Sequence, residues 1–201
     1  TYAAGFDPDT GLTTWTSTPG LYDTTYGYDI HGRIVDVTTN IRQSTYTYDI
    51  DGNLASVTDP EYHTTSFDYD AMGRITAMHR PDNTSVWFSY DRNGNMTVLT
   101  NPLTVDHGFS YNSVDKNTAY DTALSGSYAY IYDRDRRLIK TVFPSAKEIN
   151  YLYDVDYPGR LMQIQTPEGN IDYNYYPCGA KVAAITKGAE SIAYNYDGSL
   201  L

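Results

Sequence analysis

With 201 residues the chain is long enough for a sizeable fold, yet only 40% of it is hydrophobic and 22 residues are Tyr, so burial has to come from rings with a polar tip rather than an aliphatic centre. A formal charge of −11, from 14 basic and 25 acidic residues, argues against nucleic acid and against anionic membrane surfaces, since both need a basic stripe. The lone cysteine, Cys178, excludes a disulfide framework, and no apolar run approaches the ~18 residues of a spanning helix.

Taken from its first residue, the chain repeats itself. A degenerate Phe6-Asp7 opens the series. Full copies of Tyr-Asp-x-x-Gly follow as Tyr28-Asp29 with Gly32, Tyr48-Asp49 with Gly52, Tyr69-Asp70 with Gly73 and Tyr90-Asp91 with Gly94. Tyr111-Asn112 is degenerate, Tyr132-Asp133 and Tyr153-Asp154 keep the pair, Tyr175-Tyr176 loses it, and Tyr196-Asp197 restores it. Successive anchors lie 22, 20, 21, 21, 21, 21, 21, 22 and 21 residues apart, a beat that marks a repeat architecture.

Each anchor except the first has a second aromatic two residues earlier, as in Tyr26/Tyr28, Tyr46/Tyr48, Phe67/Tyr69 and Tyr130/Tyr132. That spacing places both rings on one face of a β-strand. The Asp then accepts from the amides ahead of it and Gly supplies a positive φ, closing a tight hairpin. Arg or Asn next precedes an apolar residue that starts the returning strand, as in Arg33-Ile34, Asn53-Leu54, Arg74-Ile75 and Arg137-Leu138. A second turn at mid-repeat carries breakers: Asp59-Pro60, Pro81-Asp82-Asn83, Asn101-Pro102, Phe143-Pro144 and Pro167-Glu168-Gly169. Two turns and two strands of about six residues fill each period. The sequence therefore predicts an all-β fold: one array over residues 1–201 of about ten tandem β-hairpins of ~21 residues, forming one large antiparallel sheet. Strand twist makes a sheet of roughly twenty strands curl, and nearest-neighbour stacking of the rings supplies most of its stability.

The pattern Tyr-x-Tyr-Asp-x-x-Gly-Arg-apolar, tightest over Tyr26 to Ile34 and Phe67 to Ile75, resembles the YD (Rhs) repeat. That repeat occurs in bacterial Rhs proteins, in the B and C components of insecticidal toxin complexes and in animal teneurins. The resemblance implies a β-sheet spiralling into a hollow shell. In bacterial members the shell encloses a toxic C-terminal domain until delivery; in teneurins the repeats belong to an extracellular adhesion ectodomain. It implies a secreted or cell-surface location, with a polypeptide cargo or neighbouring shell repeats as partners. The autoproteolytic segment that ends a bacterial shell is missing. Phe6-Asp7-Pro8-Asp9-Thr10-Gly11-Leu12 has some of its flavour but fits the repeat register and is read as a variant repeat. With neither an initiator Met nor a signal segment, the chain is expected to be an excerpt of a longer protein.

No unique catalytic cluster stands out, and neither cofactor nor metal is expected. His31, His63, His79 and His107 have no ligand spacing such as HExxH and are read as surface residues. Cys178, in a degraded turn, lacks a neighbouring base for a nucleophile's role. The Asp residues recur at one turn position, which suits turn closure better than a catalytic pair. Asp49-Ile50-Asp51-Gly52 lacks the length and the closing Glu of a calcium loop. The chain is therefore expected to be a non-enzymatic shell or scaffold segment whose anchors are structural. The second reading is a carbohydrate- or partner-binding surface, with glycans on the tyrosine rows. Open sheet edges add a tendency to self-associate.

Overall fold

The computed structural model describes residues 2–7, 11–16, 21–177 and 179–197. Among the described residues there are 19 β-strands and no helix, hence no helix long and apolar enough to cross a membrane. The strands run from 4 to 7 residues, around the length that two turns per 21-residue period leave.

Two compact units share the chain. One comprises Thr1–Ser89 and Leu99–Val105, the other Tyr90–Val98 and Asp106–Leu201. The first holds β1 (Tyr2–Asp7), β2 (Gly11–Thr16), β3 (Thr24–Tyr28), β4 (Ile34–Thr39), β5 (Arg42–Tyr48), β6 (Leu54–Thr58), β7 (Thr64–Tyr69) and β8 (Ile75–His79), followed by β9 (Ser85–Tyr90). After β10 (Met96–Thr100), the second holds β11 (Asp106–Tyr111), β12 (Asn117–Thr122), β13 (Gly126–Tyr132), β14 (Leu138–Val142), β15 (Glu148–Tyr153), β16 (Leu161–Thr166), β17 (Gly169–Tyr175), β18 (Val182–Lys187) and β19 (Glu190–Ala193). Within each unit every strand pairs antiparallel with its neighbour in sequence, which makes each a meander.

The alternation expected of the ring pairs is present. In β5, Tyr46 and Tyr48 are half-buried while Thr47 between them is exposed, and β7, β13, β15 and β17 repeat the pattern. Val37, opposite Tyr26, and Ile34, opposite Tyr28, lie on the same face although they are three positions apart. Simple strand alternation would send one of the two to the other side. A β-bulge resolves the conflict: the register shifts between Gly27 and Tyr28, and Val35 becomes the extra residue on the returning strand. The same shift recurs at Tyr48, Tyr69, Tyr111, Tyr132, Tyr153 and Tyr175. It brings Leu54 with Val57, Ile75 with Met78, and Leu161 with Ile164 under the rings.

This face is a thin, half-wet layer rather than a dry core. Among the described residues, Val86 and Thr141 are the side chains buried outright on this face, and Ala77 is the one buried on the other. Tyr suits such a layer because its ring can be covered while its hydroxyl finds a partner.

Candidate functional site

The anchor turns are built alike. Asp29 N–H donates to the Arg33 carbonyl and Gly32 N–H to the Asp29 carbonyl, each at 2.9 Å. Asp29 Oδ1 accepts the amides of His31 and Arg33, both at 2.9 Å. Asp49, Asp70 and Asp91 accept in the same way from Asn53, from Met72 and Arg74, and from Asn93 and Asn95. Asp133 accepts from Arg137 and Asp154 from Asp156 and Tyr157. Gly32, Gly52, Gly73 and Gly94 take φ of 78°, 92°, 75° and 93°, the left-handed region that Gly enters most readily. Where Gly is missing, Asp115 and Arg136 adopt φ of 58° and 65° instead.

The mid-repeat turn at Asp59 has identical geometry. Its Oδ1 accepts from Glu61 and His63 at 2.8 and 2.9 Å, and Tyr62 takes the left-handed position at φ 64°. Asn101 does the same with its side-chain oxygen. These turns were legible only as breakers, yet they are Asx turns like those at the anchors.

Several carboxyls titrate below their ordinary range. The Asn53 amide does most to hold Asp49 down, and the Arg74 side chain does so for Asp70. At Asp133 the Arg137 backbone amide leads. Partial desolvation pushes Asp29 up, but the bonds from Arg33 and His31 outweigh it.

From these turns a latch reaches the next hairpin. Arg33 contacts Asp29 Oδ2 through Nε and a terminal nitrogen, each at 2.7 Å, and lays its guanidinium over the Tyr48 ring, 4.3 Å from the centroid. Tyr48 in turn donates its hydroxyl to the Ile34 carbonyl at 2.8 Å, beside the bulge. Tyr69 donates to Leu54, Tyr153 to Leu138 and Tyr175 to Leu161, at 2.9, 3.0 and 2.7 Å. Arg137 covers Tyr153 as Arg33 covers Tyr48. In the longer turn from Asp154 to Arg160, the guanidinium packs against both Tyr157 and Tyr175. Desolvation raises the phenol pKa of Tyr69, Tyr130, Tyr132, Tyr153 and Tyr175.

The remaining anchors vary. Tyr28 pairs with Ile34 across the first bulge, Tyr90 ends β9, and Tyr132 pairs with Leu138. Tyr196 meets Tyr176 edge-on with Lys181 over its ring, and Asp197 is exposed. Cys178 lies outside the described residues.

Sequence reasoning missed two clusters. Asp59, Glu61 and His63 bring ligand-type atoms within 4.8 Å of one another. The cluster is internally satisfied: Asp59 Oδ2 meets the His63 ring at 3.2 Å and Glu61 pairs with Arg42 at 2.7 Å. The other joins Asp68, His79 and Ser85: His79 Nε2 lies 2.9 Å from Asp68 Oδ2 and Nδ1 lies 2.8 Å from Ser85 Oγ. Its members are 11 and 6 residues apart, a spacing that only strand register makes meaningful.

Comparison with solved structures gives the same fold at low identity. A chain in the crystal structure of TcdB2-TccC3-Cdc42 aligns with TM-score 0.68 and 15% identity, over 89% of the present chain and 12% of its own length. A chain of the Photorhabdus luminescens Tc holotoxin pore aligns with TM-score 0.59 and 13% identity, over 94% and 14%. The present chain thus spans about an eighth of those proteins. No curated protein matches it in sequence. The family model described as Teneurin YD-shell matches residues 9–201, and with the hairpin lattice above it the chain belongs to the teneurin YD-shell family.

Proposed function

We propose that the chain is a wall segment of an exported YD-repeat shell, which encloses or presents another polypeptide and catalyses nothing itself. The observation that carries this reading is the latch: Tyr48, Tyr69, Tyr153 and Tyr175 each spend the hydroxyl on a carbonyl of the preceding hairpin. Their chemistry is directed at continuing the sheet. Tyr28, Asp29, Gly32 and their equivalents through Asp197 then act as structural anchors of one array of about ten hairpins. Other shell repeats and an enclosed polypeptide are the partners of such a wall, outside the cell or at its surface.

Limited proteolysis of the intact parent gene product, read by mass spectrometry, tests this. A shell protects a non-repeat polypeptide until it is opened by denaturant. Digestion of every non-repeat segment while the repeats stay intact would overturn the enclosure reading.

A further inference from the structure

One patch breaks the repeat on the face opposite the rings. Asp68, Ala77, His79, Ser85 and Trp87 share that face across β7, β8 and β9, because Asp68 pairs with Ala77, Ala77 with Trp87, and His79 with Ser85. The positions equivalent to Trp87 hold Thr25, Thr45, Ser66, Gly108, Ala129, Asn150 and Asp172, and those equivalent to His79 hold Trp15, Thr38, Thr58, Asp121, Val142, Gln165 and Thr186. Most of these positions are small or polar, and among the described side chains an indole stands beside an imidazole only here. A repeat scaffold needs none of this, so the departure calls for a role other than stacking.

The geometry is open and fixed. Trp87 is 49% exposed although it sits across from fully buried Ala77. The His79 ring meets it edge-on, with centroids 5.4 Å apart at 84°. His79 is held at both nitrogens, by Asp68 at 2.9 Å and by Ser85 at 2.8 Å. His79 thus bridges the Asp68 carboxylate and the Ser85 hydroxyl, and the three polar groups form one chain of bonds. The Asp68 side chain is 61% exposed, and with Oδ2 committed to His79 its second oxygen is left to accept from a ligand.

The order Asp68–His79–Ser85 is also that of a nucleophile relay. Such a relay needs backbone amides aimed at a developing oxyanion. Beside Ser85 those amides are taken: Thr84 N–H by Asp82 Oδ1 at 3.0 Å and Arg80 N–H by the Thr84 carbonyl at 2.8 Å. The chain of bonds orients groups rather than attacking a carbonyl.

We infer that Trp87, Asp68, His79 and Ser85 form a binding site for a neutral sugar unit. A pyranose presents an apolar C–H face, which suits an exposed indole, and a rim of hydroxyls, which need acceptors and donors beside that indole. The free Asp68 oxygen and the Ser85 oxygen supply acceptors for those hydroxyls on rigid strands, so little ordering is required on binding. The Asp68 charge selects neutral over sialylated or sulfated sugars. The site lies apart from the tyrosine latches, and the enclosure reading does not depend on it.

The test is a printed array of neutral and acidic oligosaccharides probed with the purified chain, followed by calorimetric titration of the best neutral binder. Trp87→Ala lowers affinity at least tenfold, and Asp68→Asn and Ser85→Ala lower it several-fold, with circular dichroism confirming the sheet. Tyr48→Phe leaves binding unchanged. The inference is overturned if the unaltered chain binds no neutral oligosaccharide, if binding survives Trp87→Ala, or if a fluorophosphonate probe labels Ser85.

Discussion

The hydroxyl of Tyr48 donates to the carbonyl of Ile34, 14 residues earlier in the chain, at 2.8 Å. Ile34 sits where the register of β3 and β4 slips, and a bulge leaves the ladder locally incomplete. The tyrosine therefore adds a bond to the preceding hairpin at the slip while its ring receives that hairpin's Arg33. Tyr48→Phe keeps the ring and removes the donor, so it destabilises by about 1 kcal/mol, and Tyr69→Phe does the same. Chemical denaturation at fixed m-value measures both; a change near zero would show that water satisfies the carbonyl equally well.

Arg33 is the second half of the latch. It holds Asp29 through two nitrogens and lies 4.3 Å from the Tyr48 centroid. Lysine offers a point charge instead of a planar fork. A double-mutant cycle of Arg33→Lys with Tyr48→Leu gives a coupling of about 0.5–1 kcal/mol. Strict additivity would remove the guanidinium–ring contact from the account.

The titration behaviour bounds stability on both sides of neutrality. Asp49, Asp70, Asp91 and Asp133 have folded-state pKa values below their ordinary ones. Their contribution is complete above the unfolded carboxyl pKa of about 4 and is lost as pH falls through the folded values. Tyr69, Tyr132, Tyr153 and Tyr175 are shifted the other way, by desolvation. Their contribution is complete below the unfolded phenol pKa of about 10 and is lost as pH rises through the folded values. Melting temperature against pH should show a plateau that falls away below pH ~4 and above pH ~10. Tyrosinate absorbance should rise in two phases, the later one coinciding with unfolding; a single phase near the free phenol value would contradict the burial of these rings.

Backbone strain offers a stabilising change. Arg136 stands where the full repeats have Gly and takes φ 65°. Left-handed backbone costs a side-chain-bearing residue about 1 kcal/mol. Arg136→Gly therefore raises stability by about 0.5–1 kcal/mol, and Gly52→Ala, at φ 92°, lowers it by a similar amount. Thermal melts that move both variants in one direction would refute the assignment.

Much of this was readable in the sequence because the determinants are local. A two-residue spacing puts Tyr46 and Tyr48 on one face, and Asp49 and Gly52 close a turn within four residues. What stayed hidden depends on register. The three-residue spacing of Ile34 and Val37 looks wrong for a strand until the bulge at Val35 is known. The mid-repeat turns hid because Asp59 and Asn101 are followed by Pro and exposed apolar residues, not by Gly. His79 looked like surface decoration because Asp68 and Ser85, its partners, come from two other strands.

The direction of the tyrosine bonds gives the molecule a polarity. From Tyr48, Tyr69, Tyr153 and Tyr175 the donated proton always points toward the N-terminal neighbour. A polypeptide emerging from a ribosome or threading through an export pore closes each unit only after the following tyrosine has emerged. Growth by addition at the C-terminal end leaves finished units sealed and a single unsealed one in front, as in a zipper drawn one way.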